Sequence, residues 1–258
     1  MRQLACILIA FAVAGVYAEE PERIVNGIPT TVQENPQAIS IRVQNNHFCG
    51  GVIIAPRFIL TAGHCVLPLL TDSSLRNSLT VVTGTTYLNS GGKAHKVSRM
   101  FLHERYDRNA RGRPNGYDIG LLELSAPIEF SIVQQAIKLP SRELVQGEDV
   151  TVVAWGAMGF RKPVHNNLQK LNAKCLSAAG CRTYHQRTGM PVSDLEFCTL
   201  ISQGTGTCNG DSGSGVVRNS DRTVVGLVSG GLPCALGYPD VYTSVYPFVG
   251  WIRQKMAS

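Results

Sequence analysis

The segment "TCNGDSGSG" occupies residues 207–215 and places Asp211 directly before Ser212 among small and polar residues. Segments rich in glycine and serine are usually surface turns, because glycine adopts positive φ and serine hydrogen-bonds to the nearby backbone. The competing interpretation is a shaped loop that holds Ser212 as a catalytic nucleophile. The segment alone is compatible with both, so the other segments of the chain must separate them.

The composition indicates a folded β protein. Hydrophobic residues make up 44% of the 258-residue chain and charged residues 16%, a balance that disordered segments do not have. Helical spacing of Phe248, Ile252 and Met256 predicts a C-terminal helix over about 246–257. Short apolar runs between turn signals are predicted as strands: "AISIRV" (38–43), "GVIIAP" (51–56), "FILTAG" (58–63), "LTVVTG" (79–84), "DIGLLEL" (118–124), "DVTVVAWG" (149–156), "TVVGLVSGG" (223–231) and "DVYTSV" (240–245).

The first 18 residues are predicted to be a secretory signal peptide. Arg2 precedes an apolar run that is too short to span a bilayer, and small residues end at Ala18. A buried N-terminal helix fits less well with the basic start and the polar "EEPER" that follows. The formal charge is +6 without a long Lys/Arg run, which argues against a nucleic-acid partner. We therefore expect a secreted, extracellular protein that acts without a membrane span or nucleic acid.

The cysteine count predicts disulfides and one leftover thiol. Cys6 lies in the predicted signal peptide, and the odd number that remains leaves at least one cysteine unpaired or bonded to another molecule. The chain contains neither a C-x-x-C pair nor H-E-x-x-H, so no metal site is expected. The remaining cysteines are 49, 65, 175, 181, 198, 208 and 234.

Three segments together resemble the chymotrypsin-like (trypsin/chymotrypsin) serine proteases. His64 stands in "LTAGHC", Asp118 in "YDIGLLEL" and Ser212 in "CNGDSGSG", in that order. The resemblance extends from Ile24 to the C-terminal helix through "IVNG" (24–27), "HFCGG" (47–51), "VVAWG" (152–156) and "PDVYTSV" (239–245). It implies an all-β fold of two packed antiparallel β-barrels, about 24–130 and about 131–245, with the active site between them.

The resemblance also implies a role for each of these residues. Ser212 would be the nucleophile, His64 its general base and acid, and Asp118 the group that orients His64 and stabilises its imidazolium. The backbone N–H groups of Gly210 and Ser212 would form the oxyanion hole. Asp211 would pair with the α-ammonium of Ile24, freed by cleavage after Arg23, which makes residues 19–23 a propeptide. An incidental basic residue in a linker is the alternative for Arg23.

The same resemblance implies three disulfides, Cys49–Cys65, Cys181–Cys198 and Cys208–Cys234. Cys175 is left over. A buried free thiol that packs as a small hydrophobic group is the preferred interpretation. A bridge to another molecule is the alternative.

Substrate preference stays open at this stage. Gly206 stands where trypsin-like members carry their basal aspartate, and Asp240 stands where most members have glycine. Asp240 either selects Lys or Arg, or narrows the pocket, or faces solvent as an ordinary turn residue. Gly206 combined with Asp240 resembles the pattern of arthropod collagenolytic proteases, which have broad specificity. The other implied substrate-binding residues are Thr207, Asn209, Ser229, Gly230 and Gly231.

Other positions depart from the family pattern or carry a local charge. Gly63 replaces a usual alanine, and Ser214–Gly215 replaces Gly-Pro, which loosens or crowds the loop. Most relatives have Trp at the position of Gly230. A loop before Asp118 either borders the upstream subsites or is a solvated segment prone to self-cleavage; its arginines are Arg105, Arg108, Arg111 and Arg113.

The resulting prediction is a secreted serine endopeptidase made as a zymogen. The expected partners are protein or peptide substrates, an activating Arg-specific protease, and serpins or other protease inhibitors, and we expect a monomer without a cofactor. The alternative is a weak or inactive homologue that binds or regulates other proteins. A lectin-like or structural β protein would not explain why Arg23–Ile24 and Asp211 occur together.

Overall fold

The computed structural model of the protein describes residues 24–109, 116–232 and 234–258. The predicted signal peptide, the predicted propeptide with Arg23, and the loop residues Arg111 and Arg113 lie outside the described residues. What the sequence predicts for those segments stays a prediction.

The strands predicted from apolar runs form within about two residues of their expected positions, except that the strand predicted from Gly51 begins five residues earlier, at Asn46. Further strands complete two sheets. The described strands are β1 (Ile28–Pro29), β2 (Ala38–Val43), β3 (Asn46–Ala55), β4 (Phe58–Thr61), β5 (Leu79–Thr83), β6 (Lys93–His95), β7 (Val97–Leu102), β8 (Gly120–Leu124), β9 (Asp149–Ala154), β10 (Gln169–Leu176), β11 (Glu196–Thr199), β12 (Gly215–Arg218), β13 (Val224–Gly230) and β14 (Asp240–Ser244).

Both sheets are antiparallel and barrel-like. The first has the order β6-β5-β2-β3-β4-β8-β7, and the second has the order β1-β10-β11-β14-β13-β12-β9. An additional pairing of β9 with β10 closes six strands of the second sheet into a ring. The predicted fold class, all-β with two antiparallel barrels, is confirmed. β1 comes from the N-terminal segment yet pairs with β10 of the second sheet.

A shared apolar core holds the two sheets against each other. Each sheet buries a cluster of its own, built on residues such as Ile39 and Ile41 in the first and Val150 and Val152 in the second. A third cluster combines residues of both sheets with the C-terminal helix. Burial of apolar surface is the dominant favourable term in folding, so this shared cluster fixes the cleft between the barrels.

The helices are short, and only the C-terminal one is predicted from the sequence. A 3-10 turn (Tyr246–Phe248) leads into α4 (Val249–Ala257), which buries Ile252 as expected. The remaining helices are α1 (Gly63–Thr71), α2 (Ser73–Asn77) and α3 (Ala178–His185). Residues 125–148, which connect β8 to β9, contain no strand of either sheet.

Three disulfides cross-link the described residues, and they are the pairs that the resemblance implies: Cys49–Cys65, Cys181–Cys198 and Cys208–Cys234. Cys175 is a buried free thiol, and burial raises its pKa to about 12. At neutral pH this sulfur is a thiol, which suits an apolar packing role. No helix in the described part of the chain is long and apolar enough to cross a membrane.

Candidate active site

Strand pairing brings His64 and Asp118 together. β4 pairs with β8 so that Thr61 lies opposite Gly120. The chain after β4 and the chain before β8 therefore lie side by side. Asp118 Oδ2 is 2.8 Å from His64 Nδ1, and Asp118 Oδ1 accepts the His64 backbone N–H over 2.7 Å. The two contacts fix the imidazole by its ring and by its backbone at once.

A third hydrogen bond reaches the same carboxylate from the second sheet. Ser229 Oγ donates to Asp118 Oδ2 over 2.6 Å. Burial raises the pKa of Asp118, but the His64 charge and these hydrogen bonds outweigh it and hold the pKa below its ordinary value. Burial also lowers the pKa of His64, and the Asp118 carboxylate more than reverses that effect. The pair is built to stabilise a carboxylate beside an imidazolium.

The Ser212 loop rests against the chain that leads to His64. Ser212 O accepts from Gly50 N–H over 2.8 Å, and Gly213 N–H donates to Val228 O over 2.8 Å. Gly213 has φ +76°, and a Cβ there would lie 2.2 Å from Thr61 Oγ1. Only glycine fits so close to the end of β4. Ser212 and His64 therefore share one cleft, although the hydrogen bonds of the described residues include none between Ser212 Oγ and His64.

His47 holds the loop that contains Gly210, and nothing in the sequence predicts this contact. Gly210 has φ +91°, and its carbonyl accepts from His47 Nε2–H over 2.8 Å. Nδ1 then accepts from the Ser40 hydroxyl over 2.9 Å. Burial lowers the pKa of His47 to about 4, so the ring is neutral at physiological pH. The "HFCGG" segment contains this residue, but only the fold reveals its partner.

The unusual Ser214–Gly215 pair fits the space around it. A Cβ on Gly50 would lie 2.0 Å from Ser214 Oγ, so Ser214 occupies the space that Gly50 leaves. A Cβ on Gly215 would lie 2.4 Å from Val52 Cγ1, a residue of the first sheet. Gly215 thus permits β12 and β3 to approach closely.

Asp211 is fully buried and receives hydrogen bonds only from the backbone. Its Oδ1 accepts from Gly156 N–H over 2.7 Å, and its Oδ2 accepts from Cys208 N–H over 2.8 Å. Burial raises the pKa of Asp211 to about 7. Ile24 is also fully buried and belongs to the core cluster of the second sheet. None of the ion pairs of the described residues includes Asp211.

A cavity of about 100 Å³ opens beside Ser212. Six of the seven predicted substrate-binding residues line this cavity: Thr207, Asn209, Ser229, Gly230, Gly231 and Asp240. Cys208, Val228 and Leu232 line it as well. The seventh, Gly206, lies next to the Asp240 carboxylate, since a Cβ on Gly206 would be 2.7 Å from Asp240 Oδ2.

Asp240 faces this cavity with a buried carboxylate rather than turning to solvent. It is 6% exposed, and its Oδ2 accepts from Thr207 N–H over 2.8 Å. Burial raises its pKa to about 7. At Gly230, an added Cβ would meet nothing within 4 Å. The cavity therefore has the Asp240 carboxyl group on one side and free space at Gly230.

The basic loop before Asp118 is described as far as Asn109. Arg105 is exposed, and its guanidinium lies 4.1 Å from the centre of the Tyr117 ring, a cation–π contact. The exposed Arg108 follows it.

The ligand atoms of Cys49, Cys65 and His64 lie within 4.8 Å of one another. The two sulfurs form a disulfide, however, and so provide no thiolate for a metal.

The trypsin family profile matches residues 24–252. The chain belongs to the trypsin family. As a member it is a serine endopeptidase, an enzyme that cleaves peptide bonds within protein substrates.

Similar proteins agree with this assignment. Chymotrypsin-2 of Vespa crabro is 33% identical over 233 residues, which are 90% of this chain and 99% of that protein. Trypsin delta of Drosophila erecta is 34% identical over 251 residues, which are 96% of this chain and 94% of that protein. The solved structure of neuropsin, a serine protease of mouse brain, has the same fold with a TM-score of 0.78. It is 23% identical, and the match covers 89% of this chain and 98% of neuropsin.

Proposed function

We propose that the protein cleaves peptide bonds through Ser212, His64 and Asp118. The observation that carries the proposal is that Asp118 accepts two hydrogen bonds from His64, one from Nδ1–H and one from the backbone N–H. With Nδ1–H bound to the carboxylate, Nε2 of neutral His64 is the proton acceptor. No described hydrogen bond occupies it, so this atom is free to act as the general base.

The steps follow from these positions. Ser212 Oγ attacks the substrate carbonyl carbon while its proton passes to His64 Nε2. The negative charge that develops on the carbonyl oxygen is stabilised by the N–H groups of Gly210 and Ser212. His64 then protonates the departing amine, which leaves an acyl-enzyme at Ser212. Water, deprotonated by His64, hydrolyses that ester and restores the serine.

His47 contributes to the oxyanion site as a positioning residue. Its neutral ring binds the carbonyl of Gly210 and so holds the Gly210–Asp211 peptide. The adjacent Asn209–Gly210 peptide, which carries the Gly210 N–H, is held by its own carbonyl, which accepts from Ala157 N–H over 2.7 Å. Preorganised donors of this kind cost no reorganisation during the reaction.

We also propose that the protein is secreted as a zymogen. Cleavage after Arg23 by an Arg-specific protease would give Ile24 an α-ammonium. The buried Asp211 carboxylate, with its raised pKa and no cation among the described residues, is suited to pair with that ammonium. The pair would hold the loop that contains Gly210 and Ser212. Serpins and other protease inhibitors would act on the same cleft.

For substrate preference, we propose broad cleavage that includes basic residues. A Lys or Arg side chain would balance the Asp240 charge, which has one backbone hydrogen bond and no cation among the described residues. The open edge at Gly230 would place few limits on residues upstream of the scissile bond.

The activity test uses the zymogen and its cleaved form. Recombinant protein is cleaved after Arg23, and hydrolysis of a mixed peptide library is measured before and after cleavage. We expect at least a hundredfold rise in rate, and no rise in an Arg23→Gln variant that resists cleavage. If the correctly cleaved and folded protein hydrolyses no peptide, the alternative of an inactive binding homologue takes the place of the proposal.

A further inference from the structure

Arg42, on β2, carries a buried charge that no described carboxylate balances. Its side chain belongs to a residue only 7% exposed, and burial lowers its pKa. Nε donates to Ser40 Oγ over 3.3 Å, while Nη2 is buried and has no hydrogen-bond partner. A buried cation without a partner is strongly unfavourable, and such groups therefore point to an anion that binds there.

Arg42 lines a cavity of about 620 Å³. This cavity is separate from the one beside Ser212 that Asp240 lines, called here the Asp240 pocket. Asparagine amides and two imidazoles share the lining with Arg42, and no carboxylate does. A carboxylate accepts hydrogen bonds from amide N–H groups and from a guanidinium. The cavity, called here the Arg42 cavity, is thus chemically suited to an anionic group.

The Arg42 cavity borders the loop that contains Gly210. Two of its lining residues flank Gly210: His47 donates to the Gly210 carbonyl, and a Cβ on Gly210 would lie 2.8 Å from Val164 Cγ1. The preceding residue, Asn209, lines the Asp240 pocket instead. The two cavities share no lining residue, so the loop lies between them. A substrate with its acyl side chain in the Asp240 pocket would extend its leaving-group side past Gly210 towards Arg42.

We propose that the Arg42 cavity binds an acidic side chain of the substrate on the leaving-group side of the scissile bond. The inference rests on the proposed function, because it takes Ser212 as the point of cleavage. The carboxylate accepts hydrogen bonds from the guanidinium and the nearby amides, and its charge neutralises that of Arg42. Peptide bonds followed within three residues by Glu or Asp are then cleaved preferentially.

Paired peptides measure this preference in the activated enzyme. Each pair differs only in Glu or Gln at the first, second or third leaving-group position, and kcat/KM is measured for both members. We expect about a tenfold preference for Glu at one position, the size of a charge-assisted hydrogen bond. In Arg42→Met the ratio falls to about one. Arg253→Gln, which removes a positive charge from the exposed surface of α4, keeps the wild-type ratio.

Binding to the Ser212→Ala variant separates this inference from the activity itself. Calorimetry with the same peptides should give about tenfold tighter binding of the Glu peptide, whether or not the enzyme cleaves it. Equal affinities for Glu and Gln peptides at all three positions overturn the inference. So does a Glu preference that Arg42→Met leaves unchanged. If Arg42→Met does not fold, Arg42→Lys replaces it, because loss of the planar fork should still reduce the ratio.

Discussion

Asp240 lines the cavity beside Ser212, and its burial makes the charge of that cavity depend on pH. Burial raises its pKa to about 7, far above the ordinary value of 3.8. Below pH 7 the carboxyl is therefore mostly neutral, and above pH 7 it is mostly ionised. The same pocket should accept apolar side chains at acidic pH and basic ones at alkaline pH.

The prediction at Asp240 is a change in selectivity with pH. Between pH 6 and pH 8, the kcat/KM ratio of an Arg substrate to a Leu substrate should rise about tenfold. Asp240→Asn keeps an acceptor for Thr207 N–H and removes the charge, so its ratio should be low and nearly independent of pH. Matching pH profiles for the two proteins would show that Asp240 does not set the preference.

Ser229 shows how a residue of one sheet tunes a residue of the other. Its hydroxyl donates to Asp118 Oδ2, and this hydrogen bond favours the ionised carboxylate. Ser229→Ala should lower kcat/KM by about tenfold and raise the pH at which activity is lost on the acid side. The pH–rate profile checks it, with Ser202→Ala, an exposed serine outside the cleft, as the control. An unshifted profile would mean that the hydrogen bond has no influence on the pair.

At the scale of elements, close contact between β12 and β3 limits which side chains fit at position 215, three residues after Ser212. Gly215 starts β12, and its missing side chain leaves room for Val52. Gly215→Ala should reduce the free energy of unfolding by about 1–3 kcal/mol, the usual cost of overpacking. Chemical denaturation measures this.

A double variant tests whether the contact with Val52 is the cause. In a Val52→Ala background, the space is open, so the same Gly215→Ala change should cost at least about 1 kcal/mol less. Identical costs in the two backgrounds would place the strain elsewhere.

The elements that the sequence predicted are those with a local signal. Apolar runs such as "AISIRV" pack in the cores and form strands where expected. Helix α1 was missed, because Pro68 lies inside it and the preceding apolar residues continue the strand pattern. β7 mixes half-buried and exposed residues without strict alternation, so its position depends on its pairing with β8.

The candidate site divides in the same way. His64, Asp118 and Ser212 stand in segments with a recognisable order, but the contacts of His47 and Ser229 join residues far apart in sequence. Hydrogen bonds such as His47 to Gly210 exist only once both sheets have formed. The unpaired charge of Arg42 is likewise visible only in the fold, since nothing in "AISIRV" shows which arginine lacks a partner.

At the scale of the whole molecule, the buried Asp211 makes the stability of the folded chain depend on pH. Its pKa is raised from 3.8 to about 7 in the folded chain. The protonated form therefore favours the folded state below pH 4, and this contribution is lost as the pH rises through 7.

The prediction concerns the uncleaved chain. Between pH 4 and pH 8, Arg23→Gln should lose up to about 4 kcal/mol more stability than Arg23→Gln/Asp211→Asn. Urea unfolding at several pH values measures the difference, and the double variant controls for other buried acids such as Asp240. Parallel pH curves for the two variants would contradict the assigned burial effect.

The most direct measurement is labelling of the cleaved protein with a fluorophosphonate, followed by mass spectrometry of its peptides. The reagent reacts with a serine that a neighbouring base activates. We expect the label on Ser212 in the wild type, at least a hundredfold slower labelling in His64→Ala, and none in Ser212→Ala. Folded, correctly cleaved wild-type protein that stays unlabelled, or that carries the label on another residue, would contradict the catalytic role of Ser212.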